Sequence, residues 1–306
     1  MKRVLLRLVL AASLLVLIVA LGATFLLRAS LPDLDGAVLA TGLGAPALIE
    51  RDADGIPVIT ASNREDLAFA TGYAHAQDRF FQMDMIRKQA AGELSEMVGA
   101  VALDLDKRNR FHRFRSKAQT VMAMAEDRDR AIIEAYTKGV NAGLASLRAR
   151  PFEYFVLGTK PQPWQPEDSV LVVYAMYMQL NDSRASKEVR RGLAHRVLPA
   201  AAYDWLYPQG TPWDAPLMGG PRTVAAIPEP SVYSIRDVSD VAAPAREIGR
   251  YPLRGSNNWA VSGTLTANGR AIVANDMHLG LNAPNIYYQA RLLVDGADGI
   301  DVAGVT

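Results

Sequence analysis

The residues of this 306-residue chain with the clearest chemical potential are Gly255 and Ser256, within Arg254-Gly255-Ser256-Asn257-Asn258-Trp259-Ala260-Val261. A Gly-Ser junction entering a strand-like run is common punctuation between elements. It also has the composition of a site that cuts itself. Glycine, without a Cβ, tolerates the backbone that lets the Ser256 hydroxyl attack the preceding carbonyl. An N-to-O acyl shift and hydrolysis of the resulting ester would leave Ser256 as a new N-terminus. Such a serine carries nucleophile and base in one residue. Its α-amine, with an unperturbed pKa near ~8, can take the hydroxyl proton directly or through water.

Ser256-Asn257-Asn258-Trp259 resembles the Ser-Asn-x-Trp segment before which precursors of the penicillin acylase family of N-terminal-nucleophile hydrolases cut themselves into two subunits. The stretch Ala267-Asn268-Gly269-Arg270 through Asn275-Asp276-Met277-His278-Leu279-Gly280 is similar to the family's second strand and the polar loop after it. Upstream, Arg51-Asp52 with Gly55-Ile56-Pro57, and Gly72-Tyr73-Ala74-His75-Ala76-Gln77-Asp78-Arg79-Phe80-Phe81-Gln82-Met83-Asp84, resemble the start of the family's small subunit. The likeness covers nearly everything after Ala40. It implies an α+β fold of the four-layer αββα sandwich type with a helix-rich small subunit, and a self-processing amide hydrolase. The implied substrates are penicillin side-chain amides or N-acyl-homoserine lactones, and the implied partner of the small subunit is its own large subunit. The segments implied are a signal or anchor (1–28), the small subunit (29–224), a spacer (225–255) and the start of the large subunit (256–306). Family large subunits run for several hundred residues, so the chain reads as truncated and the fragment alone is expected to be inactive. The usual oxyanion-hole groups would lie beyond Thr306.

The same resemblance implies roles for other residues. His278 falls where a second polar group orients the serine hydroxyl or amine, although some members carry glutamine there, so a base is not implied. Met176, Tyr177, Met178 and Leu180 fall on the helix lining the acyl pocket; core packing explains such residues equally well. Glu188 matches the small subunit's single carboxylate for a structural calcium ion. A hard cation needs six to eight oxygens, so the other ligands would lie elsewhere. As a bland alternative, residues 186–188 suit a helix start. No organic cofactor is implied.

Elements must place these groups. Asn268-Gly269 is a strong hairpin signal that pairs residues 257–263 with 270–275. If Ala267 pairs with Arg270, Ser256 faces about Leu281 and His278 lies three positions away, ~10 Å at ~3.3 Å per residue. Simple alternation would then put His278 on the opposite face, unless a bulge or bend at residues 275–277 turns it. Residues 46–52 and 56–59 read as a hairpin turning at Asp54-Gly55, and Asn63 through Asp66 cap a long apolar-striped helix. Further helices are expected at 127–147, 166–179 and 186–197. Residues 225–255, rich in Pro, Ser and charge, read as an exposed connector.

Met1-Lys2-Arg3 and Arg7 precede an uncharged run from Leu8 to Leu27, long enough at 1.5 Å per residue to cross a bilayer. It fits an uncleaved anchor and a cleaved signal equally. Either sends the body from Ala29 outward, to the periplasm in the family's setting. There is no cysteine, so disulfides and thiol nucleophiles are excluded, and the net charge of +1 gives no reason to expect a nucleic-acid partner. Zinc spacing such as H-E-x-x-H is absent from the sequence. His75 is expected to be structural, His112 and His195 to lie on the surface, and Asp78, Arg79 and Glu93 to form ion pairs between subunits. The competing function class is a non-catalytic, membrane-anchored binding or assembly protein in which Gly255-Ser256 merely opens a strand. A conventional serine hydrolase lacks its G-x-S-x-G signature here.

Overall fold

The computed structural model describes residues 2–181, 185–208, 210–211, 216, 218–220, 224–234, 236, 256–280, 282–295 and 299–306. These form two compact units, residues 1–179 with 281–306, and residues 180–280. The architecture is α+β, as expected.

The first unit opens with helix α1 (Lys2–Ala29), uncharged and exposed from Leu8 to Leu27. With a mean hydropathy of 2.9 it is long and apolar enough to span a membrane. Strands β1 (Leu48–Arg51) and β2 (Pro57–Ala61) form the expected hairpin. Its turn is closed by Asp52, whose Oδ1 accepts the N–H groups of Asp54 and Ile56 at 2.9 Å. The next helix, α2 (Arg64–Ala91), begins at its expected cap, with Asn63 accepting the Asp66 N–H. Short helices α3 (Ser95–Val98), α4 (Leu103–Arg110) and α5 (Phe114–Met124) follow, then α6 (Asp127–Ser146), α7 (Phe152–Val156) and α8 (Pro166–Leu180).

Close packing of α2 on α6 is set by glycine. A Cβ on Gly139 would lie 1.9 Å from the Phe69 carbonyl oxygen, and one on Gly143 would lie 2.4 Å from that of Tyr73. These two glycines are four residues apart, one turn along the same face, so the backbones approach closer than any side chain would permit. One face of α2 buries Leu67, Ala70 and Ala74 against Ile59 and Ala61 of β2. Further along, Phe80 and Met83 pack with Val140, Tyr154 and Trp164. At its end Ala90 and Ala91 meet Phe114, Ala118 and Leu171. Charge is threaded through this core: Arg87 pairs with Asp84 at 2.8 Å and with Asp168, and Arg115 binds Asp168 and Glu93, each at 2.5 Å.

The unit's sheet is completed from the far end of the chain. Strand β5 (Gln289–Val294) runs parallel to β2, and β6 (Ile300–Val305) pairs antiparallel with β5, giving the order β1-β2-β5-β6. The second unit holds α9 (Ser186–Val197), α10 (Ala200–Leu206) and a two-stranded sheet of β3 (Ser256–Val261) and β4 (Ile272–Met277). The expected helices at 127–147, 166–179 and 186–197 thus appear within a residue of their ends. Most of the expected connector, residues 237–255, lies outside the described residues.

Candidate active site

Ser256 is the first residue of β3 and is exposed. Its cross-strand partner is Met277, and the ladder runs without a bulge through Asn257↔Asp276, Asn258↔Asn275 and Trp259↔Ala274 to Val261↔Ile272. This corrects the expected register, which put Leu281 opposite Ser256. The hairpin is not closed tightly at Asn268-Gly269. Instead Ser262 caps a 3-10 turn (Gly263–Leu265), and the Thr266 hydroxyl donates to the Arg270 carbonyl at 2.7 Å. Gly263 packs against Gly269, where an added Cβ would stand 2.3 Å from the Gly269 carbonyl oxygen. The loop therefore consumes extra residues, and the strands meet four residues earlier than a two-residue turn would give.

The shifted register carries His278 toward the nucleophile. It is now the residue immediately after Ser256's partner, rather than three positions away. His278 Nε2 lies 2.8 Å from Asp276 Oδ2, and both side chains are exposed. Period-two alternation puts Asp276 and His278 on one face and Met277 and Ser256 on the other. The regular strand ends at Met277, where the Leu279 N–H turns back to the Met277 carbonyl at 2.9 Å. Asp276 was not assigned a role from the sequence. Its signal was the i, i+2 spacing of a carboxylate and an imidazole on a strand.

The remaining assigned residues lie on helices. On α8, Met178 packs against the Ala90–Phe114–Leu171 cluster and is partly core, as the bland reading allowed. Met176 is half-buried, whereas Tyr177 and Leu180 are exposed, and the Tyr177 ring meets Phe114 edge-on at 6.3 Å. Glu188 sits exposed in the first turn of α9. The residue at that helix's N-cap is Ala185, so residues 186–188 follow the cap rather than supply it. Among the described residues no group of three acidic or histidine side chains could hold a metal ion. Gly255 and the stretch 182–184 lie outside the described residues.

A second polar assembly surrounds the upstream motif. His75 is buried in α2, its Nδ1 2.9 Å from the Tyr136 hydroxyl and its Nε2 2.9 Å from Thr306 Oγ1. The Thr306 hydroxyl donates to the Tyr288 carbonyl. Nε2 is then the protonated nitrogen of a neutral ring, and Nδ1 accepts from Tyr136. Burial, with the Arg79 charge adding to it, lowers the His75 pKa to about 4. Tyr136 and Tyr288 are pushed up, chiefly by burial. His112 and His195 are on the surface, as expected. The expected ion pairs between subunits are corrected. Asp78 pairs with Arg51 at 2.9 Å and Glu93 with Arg115, each between residues ahead of Ser256. Asp78 and Arg79 instead meet residues beyond that position through hydrogen bonds, Asp78 accepting from the Tyr288 hydroxyl and Arg79 donating to two carbonyls.

Comparison with known proteins places this arrangement. The profile of the penicillin amidase family matches residues 46–306. Penicillin acylase 2 proenzyme of Pseudomonas sp. (strain SE83) is 36% identical over 288 residues, covering 91% of this chain and 36% of that protein. An acyl-homoserine lactone acylase, QuiP, of Pseudomonas aeruginosa is 33% identical over 287 residues, covering 90% of this chain and 33% of its own length. A solved structure, the thermostable penicillin G acylase from Alcaligenes faecalis, is 26% identical with a TM-score of 0.47, over 58% of this chain and 98% of that one. The chain spans about a third of the length of these two curated relatives. With the family profile running from residue 46, just ahead of β1, through residue 306, just past β6, the chain belongs to the penicillin amidase family.

Proposed function

We propose that the full protein is a self-processing acylase that hydrolyses an acyl amide through Ser256. The observation that carries this reading is the place of Ser256, the exposed first residue of β3, directly after Gly255, in a chain of the penicillin amidase family. In the first step the Ser256 hydroxyl attacks the Gly255 carbonyl carbon, the peptide C–N bond breaks, the acyl group moves to oxygen, and the hydroxyl proton passes to the α-amine this frees. Water cleaves that ester, releasing the Gly255 carboxylate and restoring the Ser256 hydroxyl beside its free α-amine. In turnover the amine takes the Oγ proton as Oγ attacks the substrate carbonyl. The leaving amine receives that proton, and water resolves the acyl-enzyme.

His278 would orient the serine hydroxyl or amine, with Asp276 fixing the ring. Its place one residue past Met277 brings it to the level of Ser256 along the strand, and the turn closed by Leu279, where strand alternation ends, would have to bring its ring round to the serine's face. A group acting by orientation need not change protonation state. Met176, Tyr177, Met178 and Leu180 of α8 would contribute to the acyl pocket. Glu188 would give one carboxylate to a structural calcium ion, consistent with its exposure and charge but needing oxygens from elsewhere. The relatives' names point to a penicillin side chain or an N-acyl-homoserine lactone as substrate. The segment from 256 onward would begin the large subunit and pair with the small subunit ending ahead of the spacer. Helix α1, basic at its start and apolar throughout, would direct the body to the periplasm as a signal or hold it there as an anchor.

The test is the intact masses of chains in purified full-length protein beside a Ser256→Ala version. Two chains in the wild type, the second beginning at Ser256, with one uncut chain in the variant, are expected. A folded, uncut wild-type chain would remove the nucleophile.

A further inference from the structure

Ser256 starts β3, and strand alternation decides which groups can reach its hydroxyl. Residues directly opposite in a ladder share a face, as do residues two apart along one strand. The pairings Ser256↔Met277 and Asn258↔Asn275 therefore put these four residues on one face, with Asp276 and His278 on the other while the strand stays regular. Next along the nucleophile's face come Ala260 and Val273, where the polar patch ends. Met277 offers only a thioether, a weak acceptor. Of the ladder residues on that face, only the two asparagines can give Ser256 a hydrogen bond.

Their reach fits the task. Diagonal neighbours such as Ser256 and Asn275 stand about 7 Å apart, a gap that an amide from one strand and a hydroxyl from the other close to about 3 Å. Asn258 and Asn275 are directly opposite, at about 5 Å, so their amides can meet. Both are exposed, as is Ser256. Asparagine is depleted in strands, since its side chain competes for backbone groups, yet two stand abreast in an unbroken ladder. The loop that closes this hairpin is held by Ser262, Thr266 and Gly263, without them.

The geometry points to Asn275 as the residue that positions the Ser256 hydroxyl for attack, with Asn258 fixing the Asn275 amide. This rests on the reading that Ser256 is the nucleophile. The role uses both N–H groups of one amide: Asn275 Nδ2 donates one to Ser256 Oγ and the other to Asn258 Oδ1. With that lone pair occupied, the Oγ proton is left to point at its acceptor, the freed α-amine or a water before it. An amide does not titrate, so Asn275 orients the hydroxyl without competing as a base. It already shares a face with Ser256 and needs no turn of the chain, which leaves His278 for the amine.

The experiment places a site-specific protease sequence so that it ends directly before Ser256 of the full-length protein, and the free N-terminus then forms whether or not the chain cuts itself. Sulfonylation of Ser256 by phenylmethylsulfonyl fluoride, followed by intact mass, reports the nucleophile without a choice of acyl substrate. Asn275→Ala is expected to lower the second-order rate constant about tenfold, the loss of one hydrogen bond to the reacting oxygen, and Asn258→Ala to lower it less. Asn275→Gln, which keeps an amide on a longer stem, should fall between Asn275→Ala and the parent. Asn275→Asp puts a carboxylate beside the α-amine, so the midpoint of the pH profile, near ~8 in the parent, should move up by about half a pH unit or more, while Asn275→Ala leaves it in place. A residue that only stabilised the hairpin would not move that midpoint. Far-UV circular dichroism and melting certify that each variant has folded. An unchanged rate constant in folded Asn275→Ala, or an unmoved midpoint in folded Asn275→Asp, overturns the inference while the parent's reaction keeps the nucleophile reading. A freed parent whose Ser256 is never sulfonylated overturns both.

Discussion

His75 and Tyr136, 61 residues apart in sequence, meet at 2.9 Å between two helices brought together by glycines. In this arrangement the ring carries one proton, on Nε2. A second, on Nδ1, would require the Tyr136 hydroxyl to give up its bond to the ring and turn to accept, in a site where burial already disfavours the charge.

That arrangement predicts an acid-sensitive fold. His75 holds its pKa at about 4 in the native state, against an ordinary ~6.5 when unfolded. Between those values the unfolded chain binds a proton that the native chain refuses, so stability falls as pH falls from 6.5 toward 4. The full loss, about 3 kcal/mol, is reached near pH 4. Urea unfolding of wild type and His75→Gln at pH 7 and pH 4.5 checks this. The variant should lose measurably less stability over that interval, and equal losses would refute the assignment.

The contact of α2 with α6 predicts a steric penalty at Gly139. A Cβ there would stand 1.9 Å from the backbone oxygen of Phe69, which has no rotamer to move away. Gly139→Ala should destabilise the fold by about 3 kcal/mol or more, despite alanine's better helix propensity. Gly192→Ala, on α9 with nothing within 4 Å of the added atom, should stabilise slightly. Thermal melts of the two variants give the comparison.

At the buried ion network, removing one partner should cost more than the network contributes as a whole. Arg87 is 3% exposed and binds Asp84, Asp168 and the carbonyls of Gln162 and Pro163. Asp168→Ala leaves Arg87 and Arg115 short of a carboxylate, a loss of about 3–5 kcal/mol by chemical denaturation. Asp104→Ala, in the exposed pair with Lys107, should change stability by less than about 0.5 kcal/mol.

At the hairpin, the proposed orienting role of His278 separates it from a base. His278→Gln in the full-length protein should retain self-cleavage and keep kcat within about tenfold, with an unchanged pH profile. His278→Ala should lower kcat further while leaving KM nearly unchanged. A large, pH-dependent loss in the glutamine variant would make His278 a proton carrier instead.

Much of this protein is determined locally and could be read from its residues. The Asn63 cap, the turn at Asp54-Gly55, the apolar run of α1 and the ends of α6, α8 and α9 follow from side-chain reach, backbone propensity and the 3.6-residue period, all of which act within a few residues. The serine at a strand start was legible for the same reason. What tertiary structure decided lies in contacts that local rules do not see. The hairpin register turned on a 3-10 turn held by Thr266 and on Gly263 seated against Gly269, which moved Met277 opposite Ser256 and brought His278 next to that partner. The partner of β2 comes from residues 289–294, and the Asp78 carboxylate finds Tyr288 across 210 residues. Pairings of that separation leave no period in the sequence. They are chosen by which buried donors and acceptors must be satisfied when the core closes, and only the closed core shows the choice.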